Sequence, residues 1–161
     1  MRPRERTVLG QVARRLVPTA AALALAAAVA SPPAWSVTRA QYSHSVTAVL
    51  LQLRTDFRTA GKVRAASMAL RSMKTSLDRA ALRLALVRPT AQAATLHRSL
   101  VGEVRDYARQ VDLVRASVDY GDVGAIASHL REITAPRAIN RTLDRLAAKG
   151  YEIPVRVAGV R

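Results

Sequence analysis

Three histidines, His44, His97 and His129, have the widest chemical repertoire of any side chains in this sequence, and no cysteine accompanies them. His97 stands out because it precedes Val101 by one helical turn on an apolar stripe. A histidine there serves either as a core side chain with its ring nitrogens hydrogen-bonded, or as a base or ligand facing a small acidic molecule, with Tyr107 as a second polar contact. Carboxylate-bridged metal centres in helical bundles need inward glutamates and paired Glu-x-x-His motifs. Only His129-Leu130-Arg131-Glu132 occurs here, single and reversed. Met68 and Met73 are five positions apart and fall on different helix faces, which argues against a thioether copper site. Ser43-His44-Ser45 sets a nucleophile beside a base, but neighbouring helical residues point about 100° apart and cannot form a dyad with each other. The expectation is no catalytic residue, no metal and no cofactor.

Arginine is the second chemical signal. Basic residues outnumber acidic ones by 26 to 11, a net charge of +15, and 23 of the 26 are arginine. Arg54 and Arg58, Arg79 and Arg83, Arg105 and Arg109, and Arg141 and Arg145 are pairs one helical turn apart, so each pair makes a small positive patch. A merely soluble arginine-rich surface would look the same. If patches from adjacent helices merge, they can hold the protein on anionic polymers or lipid headgroups. Asp106, Arg109, Asp112 and Arg115 step by three and read as a solvated salt-bridge ladder.

Which polyanion is within reach depends on the compartment. Residues 1–15 carry five arginines against the single Glu5, Leu16 to Ala30 is an uncharged run rich in Ala and Leu, and Ala28-Val29-Ala30 offers a small-x-small junction before Ser31-Pro32-Pro33. These features together read as a secretory signal peptide over residues 1–30. The competing reading is an uncleaved membrane anchor through residues 16–30, because no charge intervenes between Arg15 and Arg39, although Pro18, Pro32 and Pro33 fit a span poorly. Arg14-Arg15 lacks the flanks of a twin-arginine signal. Export would exclude nucleic acid as the target and leave envelope polymers, lipid headgroups or acidic proteins. Membrane contact would then require the leader to stay attached.

The elements that position these side chains can be placed from apolar spacing. Half of the residues are apolar, mostly Ala, Leu and Val, a palette suited to helices, so the fold class expected is all-α. Residues 31–37, with Trp35, read as a flexible lead-in. A first helix is expected over 38–60, with Tyr42, Val46, Val49, Leu50, Leu53 and Phe57 on one stripe and Gly61 as its stop. A second is expected over 62–87 with Val63, Leu70, Met73, Leu77 and Leu84 inward. The heptad phase hardly changes across Gly61, but a turn is favoured, since the rest of the chain could not cover one helix of about 50 residues. Arg88-Pro89-Thr90 breaks the chain, with Thr90 capping a long helix over 90–119 whose stripe runs from Leu96 to Val118. Gly121 is placed for a left-handed stop and Asp122 for the next cap. Val123, Ile126, Leu130 and Ile133 form the next stripe. Pro136 then interrupts, with Thr134 placed to cap a restart, which fits two short helices or one kinked helix. Gly150 ends it, with Leu146 and Tyr151 at the touching positions of a Schellman stop. The tail, 152–161, alternates Ile153, Val155 and Val157 and either lies on the bundle or hangs free. The architecture expected is an antiparallel up-down four-helix bundle over residues 38–151.

Arg88-Pro89, Leu96-His97-Arg98 with Leu100-Val101, Gly121-Asp122, and Leu143 through Gly150-Tyr151 resemble a group of small exported helical proteins of actinobacteria. The resemblance covers about residues 88–151. It implies an exported bundle and no activity, because none is assigned to that group. The function expected is a non-catalytic binding or accessory protein at the cell envelope acting through arginine-rich helix faces. The alternative is a small-molecule or enzymatic bundle with a site near His97.

Overall fold

The computed structural model describes residues 37–158. The leader over residues 1–30, the lead-in with Trp35 and the last three residues lie outside the described residues. The described part is all-helical: α1 (Arg39–Ala60), α2 (Ala66–Leu86), α3 (Ala94–Tyr120), α4 (Val123–Glu132) and α5 (Ala135–Ala148). Among the described residues there is no strand, and no helix is long and apolar enough to cross a membrane.

α1 opens with a capping box in which Thr38 accepts from the Gln41 amide and the Gln41 side chain accepts from the Thr38 amide. It buries Tyr42, Val46, Leu50 and Leu53, and Val49 and Phe57 pack at the edge. Gly61 does end it, in a right-handed conformation. The amides of Lys62 and Val63 bond back to Thr59 and Ala60, a tight closing turn that uses up residues the heptad phase would have put in a helix. α2 therefore begins at Ala66 rather than at Lys62, and Val63 lies outside it, 38% exposed. α3, with 27 residues, is the longest helix and buries Leu100, Val101, Val104, Tyr107, Ala108, Val111 and Val114.

Two expected caps, and one expected apolar stripe, need correction. α3 starts at Ala94 and not at Thr90: the Thr90 hydroxyl accepts from the Ala93 amide within a preceding turn and pairs with the Tyr151 hydroxyl. Thr134 does not cap α5; the Gln110 side chain on α3 accepts from the Thr134 and Ala135 amides, each at 3.1 Å. Asp122 does cap α4, accepting from the Ala125 amide, but the expected inward stripe is only partly inward: Ile126 is half-buried and Ile133 packs against the core, whereas Leu130 is exposed. That helix has no buried residue, and Val123 is 77% exposed. The helix is tied to α3 by the Ser117 hydroxyl and His129 Nδ1 at 2.9 Å, a polar contact. The chain between α4 and α5 is split, not kinked, and Pro136 sits in the first turn of α5, where its missing N–H leaves no bond unmade.

α1 packs on α2, α2 on α3, and α3 on both α4 and α5. The backbones of α1 and α5 do not approach each other to within 8 Å. The tail fills that seam. Tyr151, Ile153, Val155 and Val157 are all buried, and the residues between them are exposed, as an extended segment with one face on a core requires. Asn140 of α5 bonds both the amide and the carbonyl of Val157, the Tyr107 hydroxyl of α3 donates to the Ala158 carbonyl, and the Tyr151 ring meets Tyr42 of α1 edge-on. Each buried side chain contributes roughly 1.5–3 kcal/mol, so the tail is part of the core.

The entry to the tail is a Schellman stop: the Tyr151 amide reaches the Leu146 carbonyl, the Gly150 amide reaches Ala147, and Gly150 has φ of 80°. A Cβ there would adopt the left-handed conformation and come 2.9 Å from Arg39 Nη1. Gly102, inside α3, would place a Cβ in open space. Gly150→Ala should lower the free energy of unfolding by roughly 1–2 kcal/mol, and Gly102→Ala should raise it by up to about 1 kcal/mol. Urea denaturation of the two variants tests both signs, and a loss for Gly102→Ala would contradict this account of α3.

Candidate functional site

His97 sits 5% exposed on α3, facing α1 and α2. Its Nδ1 lies 3.2 Å from the Tyr42 hydroxyl, and the ring also bonds the Leu84 carbonyl. A carbonyl can only accept, so the ring N–H goes to Leu84 and the Tyr42 hydroxyl donates to Nδ1. Burial pushes the imidazole pKa below its ordinary 6.5, opposed by the bond to Leu84. Burial, with Tyr151 second, raises the Tyr42 phenol well above its usual value and keeps it a donor. Around this pair the Tyr151 hydroxyl meets Thr90, and the Arg39 guanidinium lies over the Tyr151 ring at 5.4 Å. Tyr107, also buried, is ten residues along α3 from His97, so roughly 15 Å separates the two at helical rise. It packs edge-on to Phe57 and donates to the tail. The structure does not bring His97 and Tyr107 together, and the hydrogen-bonding capacity of the neutral His97 ring is taken.

The other histidines lie apart from this cluster, and His129 Nδ1 meets the Ser117 hydroxyl at 2.9 Å. His44 is exposed beside the buried Ser43, whose hydroxyl makes no hydrogen bond to it. Among the described residues, no group of three or more His, Asp or Glu is placed to hold a metal ion.

The paired arginines are spread over separate hollows. Arg79 reaches Asp56 at 3.9 Å across α1 and α2. Arg83 lies near Val37 and Arg88 at the far end of α2. Arg105 and Arg109 flank the α2–α3 groove with Lys74, Asp78 and Asp112. There the charges are largely answered: Arg109 pairs with Asp106, Arg115 with Asp112 and Asp119, and Lys74 with Asp78, whose hydrogen bond raises the lysine pKa. Arg141 and Arg145 are exposed on the outer face of α5.

Arg54 and Arg58 differ from the other pairs in lining an apolar cleft. Both are exposed, neither has an ion pair among the described residues, and both line a cleft of about 560 Å³ between α1 and the tail. Leu50, Leu53, Phe57, Met73 and Val157 supply its apolar wall, and Arg156 of the tail stands on its other side. Arg156 is held in place: its Nη2 meets Asp144 at 2.6 Å and its Nη1 donates to the Val155 carbonyl at 3.2 Å. The cleft and Arg156 were not foreseen from sequence. The alternation of Ile153, Val155 and Val157 already puts Arg156 on the outer face of the tail, but only the fold sets that face beside Arg54 and Arg58.

Compared with known proteins, the chain matches no family model, and no curated protein or solved structure is similar to it.

The depressed pKa of His97 has a consequence for stability. As pH falls through the ordinary value of 6.5, the unfolded chain takes up a proton that the folded chain does not, so this contribution is full above pH 6.5 and is lost toward the lower folded value. Unfolding in urea at about pH 7.5 and about pH 5.5 should show a loss of up to about 1.4 kcal/mol per pH unit that His97→Gln removes. Equal pH dependence in the two proteins would show that His97 is not held neutral by burial.

Proposed function

We propose that this is an exported, non-catalytic binding protein of the cell envelope, built as an antiparallel up-down four-helix bundle with its last helix split in two. Its arginines hold anionic envelope material. The observation that carries this reading is the unanswered charge of Arg54 and Arg58, exposed one turn apart on α1 beside an apolar cleft. Support comes also from the charge balance, with 20 basic against 10 acidic residues over 37–158. The leader over residues 1–30 and the resemblance to small exported actinobacterial proteins point to the same compartment. Packing of His97 against Tyr42 and Leu84 favours binding at the surface over chemistry in the interior.

The test begins with fractionated cells. Protein bound through its arginines should leave the envelope fraction in about 1 M salt, where the screening length is about 3 Å. The released protein should begin near Ser31 by intact mass. It should cosediment with phosphatidylglycerol vesicles at low salt and not with phosphatidylcholine. Arg54→Gln combined with Arg58→Gln should weaken that binding by about thirtyfold, at about 1 kcal/mol per charge. Full-length protein released only by detergent would move attachment to residues 16–30, and vesicle binding indifferent to salt would sink the electrostatic reading.

A further inference from the structure

The cleft beside Arg54 and Arg58 is more specific than a basic patch requires. Leu50 and Leu53, almost fully buried, make its floor, while Phe57 and Met73 are half-buried and complete an apolar wall. Its volume, about 560 Å³, falls among small-molecule sites, which span roughly 300–1,000 Å³. The unbranched thioether of Met73 adapts to the shape of a flexible chain laid against it. The polar side chains of the lining are all arginine: Arg54, Arg58 and Arg156. Asp144 already answers Arg156, so two guanidinium groups remain for a ligand, both on one face of α1.

The geometry points to a ligand with one apolar chain and one anionic head, a fatty carboxylate, with its chain along Leu53, Phe57 and Met73 and its head between Arg54 and Arg58. Charge complementarity selects it. A neutral apolar chain would leave the two cations without partners, and a polyanion without a chain would leave the apolar wall wet. The guanidinium fork matches a carboxylate through two parallel hydrogen bonds. The tail supplies the opposite wall, so the site exists only while Val157 and Asn140 hold the tail in its seam. This assignment rests on the envelope-binding reading for the ligand's source, yet it makes a separate demand: the cleft must bind a single free chain.

The test uses the processed protein from the salt wash and three probes below their micelle-forming concentrations: dodecanoate, dodecanol and dodecyl phosphate. Calorimetry should show one site for dodecanoate, at least about tenfold weaker for dodecanol. Arg54→Gln with Arg58→Gln should weaken dodecanoate about tenfold or more. Ala158→Trp, an exposed position at the cleft, should block the chain while circular dichroism stays unchanged. Amide shifts on adding dodecanoate should fall on α1 and the tail. Equal affinity for dodecanol, or none for dodecanoate, overturns the proposal, and so does binding that Ala158→Trp leaves intact. Tighter binding of dodecyl phosphate overturns the carboxylate. A concentration-dependent dimer that dodecanoate does not dissociate means that a second copy covers the cleft. Salt-sensitive vesicle binding with no dodecanoate site would end this proposal and leave the envelope reading standing. A dodecanoate site without vesicle binding would do the reverse.

Discussion

Everything in this domain depends on the seam between α1 and α5, which the helices leave unclosed. Their backbones do not meet, and α1 faces α3 through side chains, Tyr42 to His97 near one end and Phe57 to Tyr107 further along. Without something in the seam, Leu50 and Leu53 would lose the cover that one side of α1 requires. A further helix would be too wide, at about 10 Å across with its side chains. An extended strand-like segment presents one side chain in two to the core and is thin enough to lie between helices. Residues 151–158 do this, and reciprocal bonds from Asn140 satisfy backbone groups of the segment that has no sheet partner.

One cluster fixes where the segment enters. Tyr151 comes directly after the left-handed Gly150, packs edge-on to Tyr42 and bonds Thr90, while Tyr42 bonds His97, so α1, α3, the α2–α3 connection and the tail meet within a few side chains. The chain has no cysteine to tie these ends covalently. Aromatic edges and buried hydroxyls do that work by geometry, and their directionality selects one arrangement more sharply than aliphatic packing would. His97 is a strut in this cluster. Its ring nitrogens face a hydroxyl and a carbonyl, and burial keeps the ring uncharged.

What could be read from the sequence was what local chemistry decides. The stripes of α1 and α3, the left-handed Gly121 and Gly150, and the Asp122 cap depend on residues within a turn or two, so spacing alone reveals them. What could not be read depends on distant partners. Thr134 looked like a cap, yet the acceptor is Gln110, more than twenty positions earlier. Thr90 looked like the start of a helix, but its hydroxyl answers Tyr151 near the other end of the chain. α4 carries an apolar stripe at helical spacing, yet α3 covers it only in part: Ile126 and Ile133 are half-buried, Val123 and Leu130 are exposed, and a polar contact joins Ser117 to His129. Periodicity reports which face could be buried and never whether a neighbour arrives to bury it.

The same distinction separates the arginine pairs. Four pairs share one spacing, and sequence gives no ground for ranking them. In the fold, Arg79 and Arg109 reach carboxylates, whereas Arg54 and Arg58 find none and stand at a cleft whose second wall is the tail. A guanidinium already paired at the surface contributes little to an incoming anion, because part of its Coulomb attraction is spent and the carboxylate beside it repels. Arg141 and Arg145 are unpaired too among the described residues, on the outer face of α5, so what separates chemically identical pairs is both where acidic residues lie and which pair stands beside an apolar cleft. The tail that closes the core also makes the second wall of the cleft, so the stability of the domain and its capacity to bind rest on the same eight residues, 151–158. A change that frees the tail should cost both together, and a change at Arg54 or Arg58 should cost only the second.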